Sequence, residues 1–89
     1  TVTLTANADV GMGNAVYFFG SFVEGNNWNT PVRGEYSNGS WSVTVTVPDS
    51  GSFEWKTAKG SYENQSDEKI WSSNQNCKYP DQTSVTPNF

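Results

Sequence analysis

Trp28 lies in the run Gly25-Asn26-Asn27-Trp28-Asn29, and Trp71 opens the run Trp71-Ser72-Ser73-Asn74-Gln75-Asn76. Asn, Gly and Ser are turn formers, so these neighbours put both rings in loops rather than in a packed core. A large flat ring beside amides suits stacking on a flat, uncharged, partly apolar ligand. A pyranose ring fits that description, and the neighbouring amides can hydrogen-bond its hydroxyls. Two more tryptophans have different surroundings. Trp55 shares strand parity with Phe53 and reads as core; Trp41 shares parity with Val43, Val45 and Val47, which also favours the interior.

Other chemistry is scarce. The chain has no histidine, which excludes Ser-His and Cys-His nucleophile pairs and any His-based zinc site. Cys77 is alone, so it forms no internal disulfide and says little about compartment. Among nine carboxylates, Glu54, Asp67 and Glu68 are the candidates for an acid/base pair, but acidic surface residues mostly serve solvation. Asp9 near Gly11 and Gly13 lacks the dense carboxylate spacing of a calcium loop. The expectation is a non-enzymatic module with no catalytic residue, no metal and no cofactor.

The elements that must position these rings read as short strands. Val2, Leu4 and Ala6 alternate with threonines. Val16-Tyr17-Phe18-Phe19 is apolar on both faces, as a central strand would be. Trp41 to Val47 alternates cleanly until Pro48 ends it, and Asp49-Ser50-Gly51 signals a turn. Phe53 and Trp55 alternate with Glu54 and Lys56, which suggests a hairpin partner for the preceding strand and turns Lys56 outward. Glu68 to Trp71 forms a weaker strand, and Ser84-Val85-Thr86 closes the sheet. No stretch carries helical periodicity. Turn signals at roughly ten-residue spacing predict an all-β fold, an antiparallel, immunoglobulin-like β-sandwich spanning residues 1–89 as a single domain.

The formal net charge of −4 without a basic cluster argues against nucleic acid and anionic membranes as partners. No apolar run approaches the ~20 residues of a membrane span. Thr1-Val2-Thr3-Leu4 reads as strand rather than signal peptide. Abundant Asn, Ser, Thr, Gly and Trp with little charge is common in secreted polysaccharide-handling modules.

Five segments taken in order, Val16-Tyr17-Phe18-Phe19-Gly20-Ser21, Gly25-Asn26-Asn27-Trp28, Trp41 to Pro48, Phe53-Glu54-Trp55-Lys56, and Trp71 with Asn76 five residues on, resemble the family 20 starch-binding modules. They look like that family's VYLVGS, LGNW, WYVTVTLP, FEYKF and W-x-x-x-x-N stretches, over nearly the whole chain. The resemblance implies a module that binds α-1,4-glucan and is appended to an amylase-type enzyme in a secreted, extracellular protein. It implies starch, malto-oligosaccharides and cyclodextrin as partners of a monomer. It matches Trp28 and Trp71 to the two stacking tryptophans, and Lys56 and Asn76 to the lysine and asparagine that bind sugar hydroxyls. Tyr36 and Trp41 match part of a possible second site, whose remaining tyrosine falls here near Met12. Ser72 stands where many members carry glutamate, the segment between Trp28 and Trp41 is short, and the Lys78-Tyr79-Pro80-Asp81 tail is unfamiliar. One dominant site is therefore expected. Two alternatives stay open on the residues alone: a structural or adhesion spacer without sugar binding, and a module for another polysaccharide such as β-glucan or chitin.

Overall fold

The computed structural model describes residues 1–89. Nine strands occur in chain order: β1 Val2–Asn7, β2 Asn14–Gly20, β3 Val32–Arg33, β4 Glu35–Ser37, β5 Ser40–Val45, β6 Phe53–Ser61, β7 Ile70–Trp71, β8 Cys77–Tyr79 and β9 Ser84–Val85. One sheet has the order β4-β5-β1-β9; the other has β3-β2-β6-β7, with β8 also on β6. Pairing is antiparallel except between β1 and β9, which run parallel. A single 3-10 turn, Val23–Gly25, is the only helical element.

The two sheets face each other across one core. In the first sheet the register sets Leu4 opposite Val43 and Ala6 opposite Trp41, and all four side chains are buried. From the second sheet, Val16 and Phe18 of β2 join Phe53 and Trp55 of β6, and the Phe18 and Trp55 rings stack at 5.9 Å. Period-two alternation puts these residues on one face of each strand. Each large apolar side chain taken out of water contributes roughly 1.5–3 kcal/mol. Trp55 is fully buried, and its Nε1–H donates to the Gln82 carbonyl at 3.0 Å, so its polar end is satisfied. Trp41 is buried as its parity requires.

β2 is buried on both faces, as its unbroken apolar run implies. It lies inside its sheet, between β3 and β6. Its odd residues Ala15, Tyr17 and Phe19 turn away from the core, yet they are covered. Lys69 reaches over the Tyr17 ring at 4.6 Å, and Trp71 covers Phe19.

One expectation is overturned. Phe53 and Trp55 do not form a hairpin with the Trp41 strand: β5 pairs with β1 and β4, whereas β6 pairs with β2, β7 and β8. The physical reason lies at Thr46. Its N–H donates to Glu24 Oε1 at 2.7 Å and its carbonyl accepts from Val23 N–H at 3.1 Å. The backbone groups that would extend β5 into a hairpin are thus spent on another segment. The chain crosses between sheets through Pro48 to Ser52, and the two apolar faces meet through the core. The actual hairpin is β4–β5, closed by Asn38-Gly39 with φ of 50° and 85°. Asn-Gly with both residues left-handed is the favoured two-residue turn.

Candidate functional site

Trp28 is placed by an unusual loop. After the 3-10 turn, Asn26, Asn27 and Trp28 have φ of 48°, 52° and 72°. Asparagine tolerates this left-handed region, but tryptophan does not do so readily, and such a residue stores roughly 1–3 kcal/mol of strain. The surroundings hold it. Trp28 N–H donates to the Gly20 carbonyl at 2.9 Å, and Thr30 N–H to the Gly25 carbonyl at 3.0 Å. The loop folds this tightly because position 25 has no side chain: a Cβ there would run into the Gly20 carbonyl. The Trp28 ring is half-buried, with one part against the core.

Trp71 lies at the same end of β2. It pairs with Ala58, and its ring lies 4.5 Å from that of Phe19 at 50°. Ser72 N–H then donates to the Thr57 carbonyl at 3.1 Å and fixes the exit of the strand. The ring remains 47% exposed, so Phe19 supports one part while the rest faces solvent. Lys56 is the cross-strand partner of Phe19 and points outward, as its parity predicts. Cys77 pairs with Trp55, so continuing that register by one sets Asn76 opposite Lys56. Asn76 is exposed and its amide donates to Glu54 Oε1 at 3.3 Å. Trp28 is tied to Gly20 and Trp71 to Phe19, and Lys56 pairs with Phe19, so each is mounted near the C-terminal end of β2, with Asn76 next to Lys56 in register. The rings can contact the apolar faces of a flat ligand, and the polar groups can bind its hydroxyls.

The other tryptophan–tyrosine pair lies at the opposite end of β2. Tyr36 is 57% exposed and its ring sits 5.2 Å from that of Trp41. Together with Asp9, Val10 and Met12 they line a groove of about 420 Å³. Trp41 Nε1 is the one buried side-chain nitrogen or oxygen without a hydrogen-bond partner. Met12 is fully exposed at the groove's rim. Asp9 is engaged locally, accepting from Gly11 N–H at 3.0 Å.

The remaining acidic candidates are dispersed. Glu54 is held by Asn76, Asp67 accepts from Asn64 Nδ2 at 2.7 Å, and both are exposed along with Glu68. No group of three or more His, Cys, Asp or Glu side chains is placed to hold a metal. Cys77 is buried, and burial pushes its thiol pKa up, away from the reactive thiolate.

Sequence reasoning missed two contributors. Phe19 was legible only as core, because the apolar run hides which of its faces a later loop will cover. Glu54 was read as a possible acid, whereas its geometry makes it a partner of Asn76. Register between Phe53-Glu54-Trp55 and the Asn76-Cys77-Lys78 segment was the signal needed, and no alternation marks that short strand.

Comparison with known proteins places the chain in a family. The family described as the starch binding domain matches residues 1–88. No curated protein and no solved structure shows a significant match. With the match running over essentially the whole chain and a two-sheet β fold beneath it, the chain belongs to the family 20 starch-binding domains.

Proposed function

We propose that this starch-binding module takes α-1,4-glucan chains on Trp28 and Trp71, with Lys56 and Asn76 binding sugar hydroxyls. It acts without catalysis, as a monomer, and serves an amylase-type enzyme secreted from the cell. Linear malto-oligosaccharides and cyclodextrin are its soluble ligands.

The observation that carries this reading is Trp71. A 47% exposed indole braced on Phe19, beside an outward lysine and an exposed amide, is an aromatic surface kept open to solvent. Large exposed aromatics usually mark interaction sites. The left-handed Trp28 backbone adds to this, because strain concentrates where a side chain must be held in one place. A spacer module has no need of either feature.

The test is a set of titrations followed by tryptophan fluorescence, using β-cyclodextrin, a cello-oligosaccharide and a chito-oligosaccharide. Emission should change with β-cyclodextrin and stay constant with the other two. A response to cello- or chito-oligosaccharide alone would reassign the polysaccharide, and no response to any of the three would favour the spacer.

The Trp41–Tyr36 groove is a second, weaker glucan contact on this reading. The exposed Tyr36 ring, set against Trp41, supplies its apolar surface. Met12 in place of a tyrosine gives a flexible, poorly pre-organised rim.

A further inference from the structure

A second depression adjoins the Trp41 groove. It measures about 510 Å³ and is lined by Val32, Arg33, Glu35, Tyr36, Tyr62 and Gln65 among others. Tyr36 lines both spaces, so its ring is shared between them. The volume falls in the range of small-molecule sites, roughly 300–1,000 Å³.

Tyr62 forms the far wall and is rigidly mounted. Its N–H donates to the Gly13 carbonyl at 2.9 Å, beside Met12, and its carbonyl accepts from Arg33 Nη1 at 2.9 Å. The Arg33 guanidinium carbon lies 4.2 Å from the Tyr62 ring centroid, so one face of the ring carries the cation. The side chain is still 45% exposed. Arg33 is anchored on β3 opposite Tyr17, and its guanidinium has five N–H donors, of which the Tyr62 carbonyl takes one. Two tyrosine walls, a guanidinium, a carboxylate and an amide make a surface that offers apolar faces and hydroxyl partners together. Glu35 next to Arg33, on a chain of net charge −4, disfavours an anionic ligand and favours a neutral one. Met12, Tyr36 and Tyr62 are three of the seven large exposed apolar side chains of the molecule: Met12 and Tyr36 line the first groove, Tyr36 and Tyr62 the second.

We propose that the groove between Tyr36 and Tyr62 is a further sugar-binding track, which takes the continuation of an α-1,4-glucan chain seated at Trp41. The proposal rests on the α-glucan reading above. The open face of Tyr62 stacks on one glucose unit, while Arg33, Glu35 and Gln65 receive its hydroxyls. The track then serves long linear chains; maltotriose and the closed ring of β-cyclodextrin do not span it.

The test compares a long linear malto-oligosaccharide with β-cyclodextrin in a Trp71→Ala background, where the Trp28–Trp71 platform is disabled. Adding Tyr62→Ala should weaken long-chain binding about five- to tenfold, the range for one aromatic stacking contact, and Tyr62→Phe should restore it. Equal long-chain affinity with and without Tyr62→Ala overturns the track. The unmutated protein gives a second measurement that no folding defect can confuse. Its Arg33 Nε–H and Tyr62 amide NMR signals should shift with the long chain and stay fixed with maltotriose, and fixed signals under both ligands overturn the track. If the unmutated protein shows no binding to any α-glucan, the α-glucan reading itself fails and the track falls with it.

Discussion

At the scale of single residues, the site depends on how each ring is backed. Trp71 leans on Phe19 and remains half open, so its removal strips contact surface from a ligand without opening the core. Trp71→Ala should weaken β-cyclodextrin binding tenfold or more, about 1.4 kcal/mol per decade, with the thermal midpoint nearly unchanged. Lys56→Ala should weaken it less, because one solvent-shared hydrogen bond is worth about 1 kcal/mol. Calorimetry on the two variants checks both, and an unfolded Trp71→Ala protein would show that the ring is structural. The loop setting of Trp28 was legible from its Asn and Gly neighbours and the outward turn of Lys56 from parity, whereas Trp71, expected in a loop from the Ser and Asn that follow it, ends strand β7 opposite Ala58. Strand alternation also buried Trp55 and Trp41 correctly. Composition could not reveal what lies under a ring. Phe19 beneath Trp71 and Arg33 against Tyr62 are partners far apart in sequence, and only the fold brings them together.

At the scale of elements, two latches hold the segments that flank the tryptophans. The first joins the 3-10 turn before Trp28 to the end of β5: the Thr46 hydroxyl and N–H donate to the two Glu24 oxygens at 2.6 and 2.7 Å. Partial burial pushes the Glu24 pKa up, but the hydrogen bonds from Thr46 outweigh it and leave the carboxyl below its ordinary 4.5. A depressed carboxylate contributes its full stability above the ordinary value and loses it as pH falls through the lower folded value. Glu24→Gln should therefore destabilise by about 1 kcal/mol at neutral pH, the low end for a charged hydrogen bond because the group is exposed and screened. The difference from the unmutated protein should shrink as pH falls below the ordinary carboxylate value and through the lowered folded one, as urea midpoints would show. The second latch ties the chain end to the loop after Trp71. Ser73 N–H donates to the Asn88 carbonyl at 2.7 Å, and Asn88 N–H donates to Asn74 Oδ1 at 2.8 Å. Asn74→Ala should speed amide exchange at Asn88 and Ser73 and weaken β-cyclodextrin binding by no more than about fivefold, the equivalent of one hydrogen bond. Neither latch could be read in advance, because each joins a side chain to backbone in a distant segment. The same applies to the overturned hairpin. Alternation correctly located the strands β5 and β6, but pairing depends on which backbone groups remain free, and Glu24 and Val23 occupy those of Thr46. The Asn38-Gly39 turn that closes β4–β5 was a local signal that the strand pattern passed over.

At the scale of the whole molecule, β2 separates two aromatic regions. Gly20 at its end adjoins Trp28, and Asn14 at its start lines the Met12–Trp41 groove. Six steps of roughly 3.3 Å put them about 20 Å apart, too far for one cyclodextrin to bridge. The ligand is neutral on a chain of net charge −4, so affinity should hardly change between low and moderate salt. A steep loss in calorimetry at rising salt would indicate an anionic partner instead. The two regions also differ in pre-organisation. At one, Trp28 is fixed by backbone bonds and Trp71 by Phe19; at the other, a fully exposed methionine borders a groove whose tryptophan is buried. Loosely held groups lose more entropy on binding, so the second region binds more weakly. Calorimetry with β-cyclodextrin should accordingly give a stoichiometry near one. Trp41→Ala should then act on the fold, by about 3–5 kcal/mol for a buried tryptophan, with little effect on the dominant affinity. Trp41→Phe separates the two roles: it keeps most of the buried ring and deletes the unpaired Nε1–H. Its stability should drop far less than that of Trp41→Ala, with residual glucan binding in a Trp71→Ala background unchanged, because the Nε1–H is enclosed. Two equal β-cyclodextrin sites, one lost in a folded Trp41→Ala protein, would mean that exposure at Tyr36 counts for more than burial at Trp41.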